Sequence, residues 1–213
     1  MKAHSERVKD KNFRIFNGKP LFYWIFNTLS EVDSIKKIVL DTDSEQLADL
    51  VLSYFPQTDI SLRPDFLRGD FISVNRLIEY VIDKQPSEDY FLQTHSTNPC
   101  LKPETVSHAC KLFFANPGYD SMFSANRLQI RLYDKNFHAM NHDPGNLIRT
   151  QDLDPIYEEN SNFYIFSRDS FYRTKARIGV QPFIYEMKAL ESLDIDTEDD
   201  FRLAEIVSVM HKK

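Results

Sequence analysis

Glycine is scarce, with five in 213 residues, and cysteine scarcer, with two. Five glycines leave no room for a Gly-rich phosphate loop of the Walker or dinucleotide type. Two cysteines, Cys100 and Cys110, exclude a disulfide scaffold and fit a reducing compartment, the cytoplasm. No apolar run approaches the length of a membrane span, and the basic N-terminus lacks the apolar stretch of a signal peptide. No basic surplus is present either: the net charge is -6, which argues against a nucleic-acid binder. What is there is 42% hydrophobic and 27% charged residues, the composition of a globular chain. Its length suits one domain, residues 1–213.

Short apolar runs alternate with helical patterns. Lys36–Leu40, Ile60–Leu62 and Tyr90–Gln93 read as strands. Between them, Leu47, Ala48, Val51 and Leu52 follow the candidate cap Ser44, and Val74, Leu77, Ile78 and Val81 follow Ser73. Pro103 opens a further helix, and Thr197 suits the cap of the last one. This alternation predicts an α/β fold with a mostly parallel sheet and helices on both faces. In such sheets ligands bind beyond the carboxyl ends of the strands. The residues there are Asp41 and Asp43, Arg63, and Gln93 to Asn98. Leu128–Tyr133 and Phe137–Met140 flank Asp134-Lys135-Asn136, which predicts a hairpin arm at about 127–140.

Three segments carry candidate chemistry. In Asp194-Ile195-Asp196 alternate residues share a face, so two carboxylates point the same way and repel unless a cation lies between them. Such hard oxygen ligands suit magnesium bound to substrate phosphates. Asp41-Thr42-Asp43 has the same spacing, which therefore does not choose between the two. The opening residues Lys2, Ser5, Arg7 and Lys11 offer cations and a hydroxyl to a polyphosphate, although on residue types alone a frayed basic terminus is the better reading. Arg149 to Asn160 is, by itself, a polar loop before an aromatic strand. The six histidines show no metal spacing.

Taken in order, these segments resemble the acylneuraminate cytidylyltransferases (CMP-sialic acid synthetases) and, more distantly, the CMP-Kdo synthetases. The opening loop of that family is like Lys2-x-x-Ser5-Glu6-Arg7-x-x-x-Lys11-Asn12, followed by Gly18-Lys19-Pro20-Leu21. Leu40-Asp41-Thr42-Asp43, Arg63-Pro64, Leu92-Gln93 and Gln151 to Asn160 match further family segments, and Glu191 to Phe201 nearly repeats its closing acidic motif. The resemblance implies a Rossmann-like three-layer nucleotidyltransferase fold. It also implies an enzyme that joins CTP to an acidic sugar, giving a CMP-sugar and pyrophosphate. By resemblance Asp194 and Asp196 hold magnesium and, with Lys11, are catalytic. Lys2, Ser5, Arg7 and Lys11 hold the triphosphate. Asn12, Arg63 and Gln93 meet the nucleotide, while Gln93, Arg149, Gln151 and Tyr164 meet the sugar. The arm then builds a homodimer. Two alternatives remain: activation of Kdo or another acidic sugar, and a noncatalytic relative that binds nucleotide.

The chain also departs from the pattern. Lys2 replaces an arginine, Glu6 a lysine and Asp154 a proline. The family's sugar-carboxylate arginine falls on Thr150, with Arg149 one residue away. The family also has a strand ahead of the phosphate loop, within which this sequence starts. The expectation is an upstream beginning or a shortened product that lacks this first strand.

Overall fold

The computed structural model describes residues 1–2 and 7–210. In chain order the elements are β1 (Ile15–Phe16), β2 (Lys19–Pro20), α1 (Leu21–Ser30), β3 (Val39–Thr42), α2 (Glu45–Tyr54), β4 (Asp59–Leu62) and α3 (Val74–Asp83). There follow β5 (Tyr90–Thr94), α4 (Pro103–Ala115), β6 (Ser121–Leu128), β7 (Ile156–Ser167), α5 (Arg168–Thr174), β8 (Pro182–Glu186) and α6 (Glu198–Met210).

Local chemistry explains most of the starts. Ser44 accepts the Leu47 amide, Ser73 that of Asn75 and Ser167 that of Ser170, so three helices begin on a hydroxyl cap. Pro103 takes the first turn of α4, where its missing N–H costs nothing. Asn17 and Gly18 both have positive φ, 45° and 85°, and so form the two-residue turn that joins β1 to β2. Strands of two residues carry no periodicity, which is why the sequence pattern does not reveal this hairpin.

The sheet is mixed, not mostly parallel. β3 and β4 form a parallel pair, and the larger sheet has the order β5-β7-β6-β8. β7 lies antiparallel to both β5 and β6, while β8 runs parallel to β6. Alternation of strands and helices predicts crossovers, but β6 and β7 are joined through residues 129–155 without a crossover helix, so β7 returns in the opposite sense. Among the described residues β3 and β5 do not pair with each other, and the Met1 ammonium donates to the Asp41 carbonyl of β3. The hairpin expected at 127–140 is reduced to a single bridge, Tyr133 to Ala139. The Asp134 carboxylate takes the amides of Asn136 and His138 and shapes that tip into a tight turn.

Two apolar cores place the chemistry. The larger packs α1, α2 and α4 on the sheet through Phe22, Phe26, Leu40, Val51, Val106 and Phe163. The second joins the two ends of the chain: Val8, Phe16 and Leu21 pack with Ile195, Phe201, Ala204 and Val207.

A bulge interrupts the β6–β7 ladder. Phe123 faces Tyr164 and Ala125 faces Glu159, so Ser124 stands opposite Asn160 through Phe163. Ser161 takes φ +58°, a left-handed conformation unusual for serine. The buried Ser124 hydroxyl closes the bulge, donating to Asn160 Oδ1 at 2.6 Å and accepting the Phe163 amide at 3.0 Å. Bulges re-aim side chains, and this one turns Glu159, Ser161 and Tyr164 together. Ser124→Ala leaves a buried amide and a buried amide oxygen without that partner. It should cost about 1–3 kcal/mol in a urea titration. A loss within about 0.5 kcal/mol, the range of an indifferent surface change, would remove the bulge closure from the account.

Candidate active site

The acidic motif arrives at the site because Ile195 is buried. Its side chain is fully inside the second core, and its amide donates to Thr97 O at 2.9 Å, just beyond β5. Extended backbone then turns Asp194 and Asp196 to the opposite face. The basic loop meets them there. Lys11 Nζ, in a side chain only 10% exposed, donates to the Ile195 carbonyl and lies 3.5 Å from Asp196. The exposed Arg7 reaches Asp196 at 3.0 Å. Burial raises the Asp194 carboxyl above the usual carboxylate range, and the Asp196 charge adds to this, against a Thr97 hydrogen bond and the Lys11 charge. Asp194 Oδ1 is buried and has no hydrogen-bond partner.

A second group lies at the ends of β3 and β4. Arg63, 5% exposed, donates from Nε to Asp41 Oδ2 at 2.7 Å. Asn12, also buried, links this group to the rest. Its amide donates to Lys2 O at 2.9 Å, and its oxygen accepts the Ser96 hydroxyl at 2.6 Å. The Lys2 ammonium is 2.7 Å from Asp70. Ser5 lies outside the described residues.

The third group surrounds Gln93 and Tyr164, which face each other in register on β5 and β7. At its centre is Arg177, a residue that no sequence motif marked. Its guanidinium donates to Gln93 Oε1 at 2.8 Å and to the Tyr164 hydroxyl at 2.8 Å, lies 3.3 Å from Glu159, and stacks 3.6 Å above the Tyr164 ring. Tyr164 is fully buried, and its hydroxyl also bonds Glu159. His95 completes the set. Its Nε2 faces two donors, the Gln93 amide nitrogen at 2.9 Å and Arg177 at 3.3 Å, so it carries a lone pair there. Burial, then the Arg177 charge, lowers its pKa to about 4.

A cleft of about 380 Å³ opens between the acidic motif and the β6–β7 bulge, lined among others by Glu158, Glu159, Ser161, Asp194, Asp196 and Asp200; Lys11, Arg63, Gln93, Tyr164 and Arg177 are not in its lining. Arg149 and Gln151 are not in its lining. Arg149 is exposed and clasps Asp152 at 2.7 and 3.0 Å, and the carbonyl of Gln151 accepts the Gln129 amide at 2.7 Å. Arg177 was missed because it sits in a loop after α5, where spacing carries no signal. Only the register of β5 and β7 shows what it touches.

A family model described as cytidylyltransferase matches residues 1–212. The chain belongs to the cytidylyltransferase family. An N-acylneuraminate cytidylyltransferase A of Danio rerio is 26% identical over 209 residues, covering 94% of this chain and 47% of that protein. A CMP-N,N'-diacetyllegionaminic acid synthase of Legionella pneumophila is 26% identical over 218 residues, covering 96% and 91%. The chain thus spans about half the length of the N-acylneuraminate cytidylyltransferases it matches. Its fold is that of a CMP:2-keto-3-deoxy-manno-octonic acid synthetase solved with CTP. That match has a TM-score of 0.68 at 14% identity and covers 100% of this chain and 96% of the other.

The His95 environment makes a measurable demand on the fold of this cytidylyltransferase. Its folded pKa is lowered, so below pH 6.5 the unfolded chain binds a proton that the native imidazole refuses. Stability therefore falls as pH drops from 6.5 towards 4, by at most about 3 kcal/mol from this group. The difference in unfolding free energy between the protein and His95→Gln should show that slope across this window. A difference independent of pH would mean that His95 titrates alike in both states.

Proposed function

We propose that the chain is a nucleotidyltransferase that joins CTP to an acidic sugar, a sialic acid or a related nonulosonic acid, giving a CMP-sugar and pyrophosphate. The observation that carries this reading is the Asp194–Asp196 pair on the cleft wall, with Lys11 and Arg7 against it. Family membership, the named relatives and the fold support it.

The donor set fits magnesium. Asp194 Oδ1 is buried and unpartnered, and Asp196 shares its face. Among the described residues no three His, Cys, Asp or Glu side chains converge as a metal cage. Two carboxylates without a third suit an ion that shares its shell with substrate phosphate and water. When bound, the ion would neutralise phosphate charge beside the reacting phosphorus. Lys2, Ser5, Arg7 and Lys11 serve the triphosphate, and Asn12 and Arg63 the cytidine. Gln93 serves the sugar side, and Tyr164, fully buried, supports Glu159 and Arg177 from behind it instead of meeting the sugar itself. The sugar's anomeric oxygen bonds to the α-phosphorus as the bond to the bridging oxygen breaks. Pyrophosphate leaves and the hydroxyl proton is released. Both reactants bring their own nucleophile and leaving group, so the chain's part is alignment and charge neutralisation.

A homodimer belongs to the same proposal. Residues 130–148 expose Ile130, Tyr133, Phe137, Met140, Leu147 and Ile148 as one apolar arm, which a second copy would cover. Arg149 and Gln151 enter the sugar site only in that dimer, carried by the arm. Among the described residues no helix is long and apolar enough to cross a membrane, and both cysteines are free, which supports a cytoplasmic enzyme.

Incubation with CTP, magnesium and a panel of 3-deoxy-2-ulosonic acids should release pyrophosphate. Asp196→Ala should lower turnover at least about a hundredfold with an unchanged circular-dichroism spectrum. CTP binding without pyrophosphate release for any acid of the panel would overturn the reading. In light scattering, Phe137→Asp with Met140→Asp should halve the mass in solution; an unchanged dimer would place the interface elsewhere.

A further inference from the structure

We infer that Arg177 and His95 are positioning residues that lock the carboxamide of Gln93, and that Gln93 therefore meets the substrates only as an acceptor, of a hydroxyl or an N–H group. This rests on the reading that Gln93 serves the sugar side of a nucleotidyltransferase.

A glutamine carboxamide can present either end, because its oxygen and its nitrogen have nearly the same shape. At Gln93 two neighbours of fixed polarity remove that freedom. The Arg177 guanidinium only donates, and it meets Oε1 at 2.8 Å. The Thr94 carbonyl only accepts, and it meets Nε2 at 3.1 Å. A flipped amide would set nitrogen against the guanidinium and oxygen against the carbonyl. His95 agrees with this orientation. Its Nε2 faces Arg177 as a donor at 3.3 Å, so it carries a lone pair, and it accepts the second Gln93 amide hydrogen at 2.9 Å. Both amide hydrogens are then spent, while Oε1 keeps one lone pair. A carboxylate or phosphate oxygen finds no donor at Gln93, whereas a hydroxyl or an N–H finds an acceptor. Burial and the Arg177 charge keep His95 neutral, with its pKa lowered to about 4, so the arrangement persists at neutral pH.

The guanidinium is itself held in place. It donates to the Tyr164 hydroxyl at 2.8 Å, lies 3.6 Å above the centre of that ring and approaches Glu159 at 3.3 Å. The backbone that carries it is fixed as well. Asp120 accepts the amides of Val180 at 2.9 Å and Gln181 at 3.0 Å, and Ser121 Oγ accepts that of Gly179 at 2.7 Å. A Cβ on Gly179 would overlap the Asp120 carboxylate and Ser170 Oγ, so only glycine allows this approach. Arg177 is therefore a fixed donor outside the lining of the cleft, and it acts on the substrates through Gln93.

Three measurements on the whole chain test this. In nuclear magnetic resonance of the isotope-labelled protein, the Gln93 side-chain amide is assigned by its loss in Gln93→Ala. Its hydrogens should exchange at least about tenfold more slowly than those of exposed glutamines. Arg177→Met should remove that protection and His95→Leu should weaken it, while His95→Gln, whose amide oxygen again accepts, should restore it. The second measurement is CTP-dependent pyrophosphate release with the best of N-acetylneuraminic acid, N,N'-diacetyllegionaminic acid and 2-keto-3-deoxy-manno-octonic acid. Arg177→Met and Gln93→Ala should each lower kcat/KM roughly ten- to a hundredfold, and the double variant should match Gln93→Ala within about twofold. Arg177→Lys, which still donates but loses the fork, should fall between. Third, among analogues of CTP and of the best acid that each lack one hydroxyl or N–H donor, one should lose as much as Gln93→Ala does and lose nothing further in that variant. An unprotected amide, or losses that multiply in the double variant, overturns the lock while turnover of the unaltered protein upholds the synthetase reading. Additive losses for every analogue overturn the acceptor role. If CTP and an acid bind without turnover, the synthetase reading falls, and the same cycle read in calorimetric Kd decides the lock. Absence of binding by CTP and by every acid overturns both.

Discussion

The burial of Ile195 organises the site. Two carboxylates one residue apart repel, and raising both in a half-buried cleft is unfavourable by itself. Ile195 between them is fully enclosed with Val8, Phe16 and Phe201, and this apolar contact fixes the strand-like segment that carries them. The same cluster draws in the basic loop, because Val8 and Phe16 bracket Lys11 and Asn12 in sequence. Arg14 strengthens the junction, stacked 3.9 Å over Phe201 and paired with Glu198 at 2.6 Å. Charge alone would not hold the ends of the chain together, since exposed ion pairs are worth little. The apolar seam brings opposite charges into register, and the charges then set the chemistry.

The other wall of the cleft has a different origin. It depends on the β6–β7 bulge, closed by buried hydrogen bonds from β6, and on the loop after α5, held by hydrogen bonds from Asp120 and Ser121 at the start of that strand. Ser124 closes the bulge, and Asp120 with Ser121 grips the loop. One strand and the residue before it therefore position Glu159, Tyr164 and Arg177 through contacts spanning 36 to 61 residues of sequence.

Much of the architecture was legible beforehand. Ser44, Ser73 and Pro103 mark helix starts by mechanisms that act within one turn, and the apolar faces of α2 and α4 follow their period. The β1–β2 hairpin was not legible, because two-residue strands have no pattern. The antiparallel course of β7 was not legible either, since direction is set by how residues 129–155 return and not by the strand's composition. At the site, the acidic motif and the basic loop were readable as ordered motifs. Arg149 lies next to a motif in sequence, but within one chain its guanidinium is engaged by Asp152.

The sequence by itself determined the helix caps, the alternation of strands and helices, and the presence of two oppositely charged ends separated by almost the whole chain. These follow from interactions between near neighbours, which a linear string records directly. Only the tertiary structure decided that Ile195 buries against Val8 and so joins those ends, and that Lys11 reaches Asp196. It alone placed Arg177, not Arg149, beside Gln93 and Tyr164. Those outcomes depend on strand register and on packing between residues far apart in the chain, where one step of register moves a side chain to the opposite face.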